Sequence, residues 1–430
     1  LAGKKIVIDY LDIKLWFGLI GIAFVTGIVS GSYPALFLSG FNPVKVLKGN
    51  MKAMGGNLIF RNMLVITQFI VSILLLIGTF TIYNQLKFIR NRNPGFEKDN
   101  LVYIPLTGDL HNKMQALKGE LQQNRLTSNY SVVSDLPTNL MNGTISVEWT
   151  GKDPKSQIIF PNLEIDENFI QTFKMKMISG RTFSKAYLAD SNNYVVNEKA
   201  LSVMGMNAAN AVGKPLTLWG RKGMIIGVVK DFNFKPVQQA IEPLILYTSR
   251  GNSNYVVVRA SGGNIEPTIK ALEKIEQDLN PAYPFKYDFL DQDMANLYKG
   301  EQQMGSIFNL FAGLAIFISC LGLYGLSAFM AEQRTKEIGV RKVLGASLVN
   351  IVTMLSSGIT RLIVIAIVIA IPLSWYAANT WLDGFVYHIN VSWLLFLVAS
   401  LSALLIAWIT VSYETIKAAM ANPIKSIKAE

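Results

Sequence analysis

Five stretches of this 430-residue chain are long and apolar enough to cross a bilayer: Lys14–Leu36, Met63–Asn84, Ser306–Met330, Ile359–Trp381 and Trp393–Ser412. A hydrocarbon core about 30 Å thick takes about 20 helical residues. The second and third stretches carry no Asp, Glu, Lys or Arg, and the fourth carries Arg361 near one end, where a long side chain can snorkel to the interface. Trp16, Trp375, Trp381 and Trp393 fall at the ends of these stretches, as an aromatic belt requires. Buried core helices of a soluble protein would account for one such run, not five. Charged residues make up 16% of the chain, against about 25% in soluble domains, which excludes an ordinary soluble or a disordered protein.

Between Gln85 and Gly305 the pattern changes to short alternating runs and polar helices. Residues 100–106, 157–165, 223–232, 243–247 and 254–260 read as strands. Residues 112–125 and 267–279 read as helices, the second with Asn264 as N-cap and Pro267 in its first turn. The fold class expected is an α-helical transmembrane bundle with an inserted α+β domain. The boundaries read as 1–50 for a last span and its tail, 51–87 for a linker and span, 88–303 for the inserted domain, and 304–430 for a three-span unit.

The net charge of +11 is unevenly placed. Residues 88–303 hold 24 Lys and Arg against 22 Asp and Glu, and the remainder holds 16 against 7. The excess sits in short segments: Lys45, Lys48, Lys52 and Arg61; Arg334, Lys336, Arg341 and Lys342; Lys417, Lys425 and Lys428. Residues 382–392 carry no Lys or Arg. Short basic loops face the cytoplasm, so the inserted domain is expected outside and the C-terminus inside. The sequence implies no basic face on the inserted domain, and nucleic acid is not an expected partner. One cysteine, Cys320, and two histidines, His111 and His388, leave no disulfide and no Cys/His metal set. Asp288, Asp291 and Asp293 read as a solvated face or helix cap rather than a metal site. No nucleophile–base constellation is apparent, so the chain is not expected to be an enzyme by itself.

Residues 32–50 and 412–430 align without gaps and share Ser, Tyr, Asn, Pro and two Lys. Both follow an apolar run. This suggests a duplicated membrane unit, and with Leu1 in place of Met it suggests a chain that begins near the end of the first unit.

The segment after the third run is AEQRTKEIGVRKVLGASLVNIVTML, residues 331–355. Its EQRTKEIGVRKVLGA core resembles the signature of FtsX/MacB-like ABC transporter permeases. NPGFEKDNLVYI (93–104), VVNEKALSVMGM (195–206) with VGKPL (212–216), IIGVVKDFNFKPVQQAIEPLILY (225–247) and the tail ANPIKSIKAE are similar to that family's extracytoplasmic core and closing segment. The arrangement resembles the duplicated permeases of Bacteroidetes-type bacteria, of which this would be the C-terminal part.

The resemblance implies a multi-pass protein of the bacterial cytoplasmic (inner) membrane. Its partners would be a cytosolic ABC ATPase dimer, membrane lipid, a second permease unit (fused or separate), and a periplasmic or outer-membrane protein. No G-x-x-x-x-G-K-[ST] loop occurs in the chain. No cofactor is therefore expected on the chain itself, with ATP and Mg held by the partner ATPase. The resemblance assigns ATPase coupling to Glu332, Arg334, Glu337, Ile338, Gly339, Arg341, Lys342, Gly345 and Ala346. Ile338, Val340, Val343 and Leu344 would enter an apolar groove, and the two glycines would permit close backbone approach. ATP hydrolysis would move the outer domain for export or extraction of a substrate, through a helical run expected to be continuous from 296 into the third span. The alternative is a non-transporting scaffold that relays ATPase state to an extracytoplasmic partner such as a cell-wall hydrolase.

Overall fold

A computed structural model describes residues 12–39, 55–124, 127–138, 140, 142–248, 251–262 and 265–420. The Asn-Pro-Lys ends of the proposed repeat and Asn264 lie outside these residues. Two units are present, one formed by the described residues within Leu1–Ile82, Gln303–Asn379 and Val391–Glu430, the other by Tyr83–Gln302 and Thr380–Asn390.

The elements run α1 (Ile13–Ser39), α2 (Gly55–Asn91), β1 (Leu101–Pro105), α3 (Met114–Gln123), β2 (Thr127–Val133), β3 (Gly143–Thr144), β4 (Val147–Trp149), β5 (Phe160–Ile165), α4 (Phe169–Thr172), β6 (Met177–Gly180), β7 (Tyr194–Asn197) and α5 (Glu198–Met204). They continue with β8 (Pro215–Leu218), β9 (Arg221–Val229), β10 (Ile245–Thr248), β11 (Tyr255–Ala260), α6 (Glu266–Leu279), β12 (Asp288–Phe289), α7 (Leu290–Asn296), α8 (Lys299–Gln333), α9 (Thr335–Val343), α10 (Leu348–Leu382) and α11 (Trp393–Met420).

In the first unit, four described helices are long and apolar enough to cross a membrane: Arg61–Asn91, Lys299–Gln333, Leu348–Leu382 and Trp393–Lys417. The described side chains of α1 form a shorter apolar run, Ile13–Ile28. The interior is built from stripes at helical spacing: Val65, Phe69, Ile73 and Ile77 on α2, and Ala399, Ala403, Ala407 and Val411 on α11. Small residues let membrane helices approach closely, because packing rather than water exclusion holds them together. A Cβ on Gly78 would meet the Phe308 ring at 2.8 Å, and Ser72 and Ser319 share a hydrogen bond of 3.1 Å between α2 and α8.

The second unit is a mixed sheet in the order β12-β1-β11-β2-β5-β10-β7-β9-β8-β4, with β3 on β5 and β6 on β9. Two pairs are parallel, β5 with β10 and β7 with β9. Strand β11, YVVVRA, is apolar except for Arg259 because both its faces are covered. Val102, Ile104, Val256 and Val258 point to a layer made with Leu117 and Leu121 of α3 and Leu272 and Ile275 of α6. Leu101, Tyr103 and Val257 point the other way, to Phe169, Phe173 and Phe232. This is the two-residue period of a strand expressed as two cores.

The run expected from 157 begins as a strand only at Phe160. Strand β2, TSNYSVV, is too polar to be found by alternation. Its Ser131 is buried because Asp166 accepts from Ser131 Oγ at 2.7 Å and from Val132 N at 3.0 Å. Helix α10 starts eleven residues before the expected Ile359, at a cap where Ser347 Oγ accepts from Asn350 N. The continuous run expected from 296 is broken. Helix α7 ends at Asn296 and α8 starts at Lys299. Tyr298 is buried between them, with its hydroxyl accepting from Val237 N at 3.0 Å.

Candidate functional site

The segment between α8 and α10 forms a separate short helix, α9. The i,i+4 pair Glu337–Arg341 (2.8 Å) lies along it, and Arg341 also touches the sulfur of Met354 on α10. Its C-terminus is closed by a Schellman motif: Ala346 N donates to Arg341 O at 2.9 Å and Gly345 N donates to Lys342 O at 3.1 Å. Gly345 sits at φ +88, which a side chain rarely adopts, and a Cβ there would meet nothing within 4 Å. The requirement for glycine at 345 is therefore the left-handed turn that ends α9, rather than a close backbone approach within this chain.

The residues assigned to coupling divide by exposure. Glu332, Arg334, Glu337, Arg341 and Gly345 are exposed, and Lys342 and Ala346 are half-buried. Ile338 and Gly339 are buried. At 5% exposure Ile338 packs with Ile351 and Leu355, fixing α9 onto the first turns of α10. It is thus an internal anchor within this chain, whereas Val340, Val343 and Leu344 are exposed by 52%, 69% and 79%. Sequence reading missed this division because IGVRKVL has no clean polar face. Only the packing partner, the Ile351–Leu355 pair at helical spacing, marks which apolar residue turns inward. Helix α9 also lies against α11.

A second arrangement, which sequence reading did not find, holds the loop between α10 and α11. Gln85, in the last turns of α2, is fully buried. Its Nε2 donates to Tyr387 O at 3.0 Å and its Oε1 accepts from Ile389 N at 3.0 Å. The Arg92 guanidinium lies 3.5 Å from the centre of the Tyr387 ring, and Tyr387 N donates to Val237 O at 3.4 Å. Ile89, Val237, Tyr298 and Phe385 close the cluster. The loop is thereby part of the second unit.

Other polar groups of that unit are structural. Arg259 is buried and donates to three backbone carbonyls, Thr172 O at 2.7 Å, Asp99 O at 2.8 Å and Glu97 O at 2.6 Å. Burial opposes ionisation of Asp190, but the Arg181 fork (2.8 Å to Oδ1), Asn193 and Ser184 N outweigh it and hold the carboxyl below its usual range. Glu276 is buried on α6, and burial pushes its carboxyl up to about 7, with Asn280 offsetting part of the effect. Asp293 accepts from the Tyr103 hydroxyl. Among the described residues no group of three or more His, Cys, Asp or Glu is placed to hold a metal.

The chain is 23% identical over 277 residues to an uncharacterized ABC transporter permease, YknZ, of Bacillus subtilis (strain 168), covering 62% of this chain and 69% of that protein. Among solved structures it is similar to the periplasmic region of MacB from Actinobacillus actinomycetemcomitans, at 16% identity and a TM-score of 0.34 over 48% of this chain and 97% of that one. It is also similar to the extracellular domain of the noncanonic ABC-type transporter YknZ from Gram-positive bacteria, at 15% identity and a TM-score of 0.31 over 44% of this chain and 98% of that one. Residues 309–423, which contain most of α8 and all of α9, α10 and α11, match the family model described as FtsX-like permease C-terminal.

Proposed function

We propose that this chain is the membrane subunit of an ABC transporter in a bacterial inner membrane, driven by a separate cytosolic ATPase dimer that docks on α9. The observation that carries the reading is α9 itself. It is a short helix between two membrane helices, pinned from inside by Ile338 and presenting Val340, Val343 and Leu344 among charged neighbours. Exposed apolar residues ringed by charge suit a polar, reversible interface. Helix α8 leads into this element without a break from Lys299 to Gln333. Its 35 residues extend about 52 Å, longer than a bilayer core. A shift at α9 would pass along α8 to the extracytoplasmic unit and move it, exporting or extracting a substrate. The basic loops of the sequence support a cytoplasmic location for α9 and the C-terminus.

The test is reconstitution of the full permease with its ATPase in proteoliposomes. Val343→Asp with Leu344→Asp alters only exposed side chains. The double variant is expected to lose ATPase binding at least tenfold while the fold is kept. A Gly-Pro insertion between Gln302 and Met304 is expected to leave binding intact and uncouple hydrolysis from transport. Full ATPase binding by the double variant would refute the docking site. Transport that survives the insertion would refute the helical linkage. ATPase activity that responds only to an extracytoplasmic protein, with no substrate moved, would favour the signalling scaffold.

A further inference from the structure

The inserted domain is nearly neutral by composition, yet its charge is not spread evenly in space. A cleft of about 650 Å³ within the second unit is lined by Arg90, Arg92, Lys98, Lys174, Lys176 and Lys230. These residues come from the end of α2, from the segment before β1, from the strand entry before β6, and from the end of β9. Three carboxylates share the lining, Glu97, Asp99 and Asp231, so this one cleft holds more net positive charge than residues 88–303 as a whole. Two of the three are already engaged. Glu97 pairs with Lys174 at 2.8 Å and with Arg259 at 3.5 Å, and Asp231 accepts from Lys199 N at 2.9 Å.

The arrangement of Lys176 and Lys230 is the sharper observation. Lys230 N donates to Lys176 O at 2.8 Å, which extends the β6–β9 ladder by one step beyond Met177 and Val229. Two lysines are thus set opposite each other across a strand pair, where like charges destabilise. Among the described residues neither has an ion-pair partner, nor has Arg90 or Lys98. An anion between them relieves that repulsion.

A second cavity of about 500 Å³ shares Asn91 and Arg92 with the cleft and is bounded by Asn84, Lys87, Phe88 and Ile389. It lies further back along α2, toward the apolar run. Arg90 is seven residues beyond Tyr83, about 10 Å along the helix. The headgroup layer on each side of a bilayer is about 5–8 Å deep. Measured along α2, the cavity bounded by Asn84 and Phe88 is therefore nearer the apolar run, and Arg90 stands just past the headgroup layer, within a side-chain length of it.

We propose that this pair of cavities binds an anionic phospholipid of the outer leaflet, its phosphate among Lys176, Lys230 and Arg90 and its glycerol and first methylenes against Phe88 and Ile389. The proposal rests on α2 crossing the membrane and does not depend on how the ATPase couples. Charge complementarity selects the headgroup, and the adjoining groove selects a lipid over a free anion.

The test is calorimetric titration of the full chain, in a neutral detergent, with dihexanoyl-phosphatidylglycerol, dihexanoyl-phosphatidylcholine and inorganic phosphate. Wild type is expected to bind the phosphatidylglycerol tightest of the three. Lys176→Glu with Lys230→Glu is expected to weaken it at least tenfold, on the scale of losing two surface cations and gaining two anions. Ile389→Ser is expected to weaken the lipid and leave inorganic phosphate unchanged. Lys155→Glu with Lys222→Glu, the same charge change on exposed residues away from the cleft, is expected to do nothing. Should the reversed pair lose thermal stability, Lys176→Gln with Lys230→Gln makes the same comparison. Unchanged lipid affinity in both cleft variants overturns the proposal, as does an equal loss in the distant pair. Inorganic phosphate binding as tightly as the lipid, with Ile389→Ser silent, overturns the lipid as ligand.

Discussion

Replacing Gln85 by Met removes two hydrogen bonds and keeps almost the whole side-chain volume. In the folded chain Gln85 is fully buried, and both its amide atoms are bonded at 3.0 Å to the loop between α10 and α11, one to Tyr387 O and one to Ile389 N. Each such bond contributes about 0.5–1.5 kcal/mol net, so the pair is worth about 1–3 kcal/mol. That is about a 5- to 150-fold rise in the population of loop-open states, since about 1.4 kcal/mol is tenfold. The global fold should survive, because the Phe385, Ile89 and Tyr298 cluster and the Arg92–Tyr387 contact remain. The assay is hydrogen exchange of the full chain in nanodiscs, followed at the Tyr387 and Ile389 amides. Both should exchange about 5- to 150-fold faster, with β11 amides as an unaffected internal reference. Exchange within twofold of wild type at Ile389 would show that the loop is held by packing alone and that the clamp has no energetic role.

Glu276 sets a pH dependence. Its folded-state value, pushed up to about 7 by burial, lies above the value of an exposed carboxyl, so the folded state holds the proton more tightly. Stability should be highest at low pH, fall as pH rises from about 4.5, and level off above about 7, for a loss of up to about 3 kcal/mol. Glu276→Gln should then raise Tm at pH 8 and leave it nearly unchanged at pH 4.5; thermal melts at the two values decide. Arg259→Met strands three buried carbonyls and should cost about 3–5 kcal/mol. Arg259→Lys should recover little of it, since one ammonium cannot serve three separated acceptors; denaturant unfolding checks both. Gly95→Ala should destabilise the second unit, because the residue sits at φ +97 and its Cβ would lie 2.6 Å from Phe232 Cβ.

The membrane helices were legible because about 20 apolar residues in a row are stable in few settings besides a bilayer. Strands β1 and β11 were legible for a related reason, since LVYI and YVVV are apolar runs covered on both faces. What stayed hidden depended on partners distant in sequence. Strand β2 looks like a polar loop until Asp166 is placed under Ser131. The break at Tyr298 is invisible until Val237 donates to its hydroxyl. The segment that the resemblance assigns to coupling stood out as a block, but which of its residues face inward depends on Ile351 and Leu355. The basic cleft defeated the charge reading most directly. A near-neutral total over 88–303 says nothing about where the strands deliver each charge, and three separated segments contribute the cleft's six cations.

The edge of the sheet has a consequence for synthesis. Strand β1 pairs with β12 through Val102 and Phe289, and with β11 through Leu101 and Arg259. Its nearest partner in the chain is thus more than 150 residues downstream, and its outer one about 190. At about 5–20 residues per second, β1 emerges about 10–40 s before its outer neighbour exists. During that interval LVYIP is an unpaired apolar segment beside a nascent membrane helix, the situation in which a holding chaperone is most useful. The same pairing brings the entrance and exit of the inserted unit to adjacent strands. A short linker between residues near 100 and 290 would therefore close the membrane bundle over the gap, and the sheet could be excised as a cassette and exchanged.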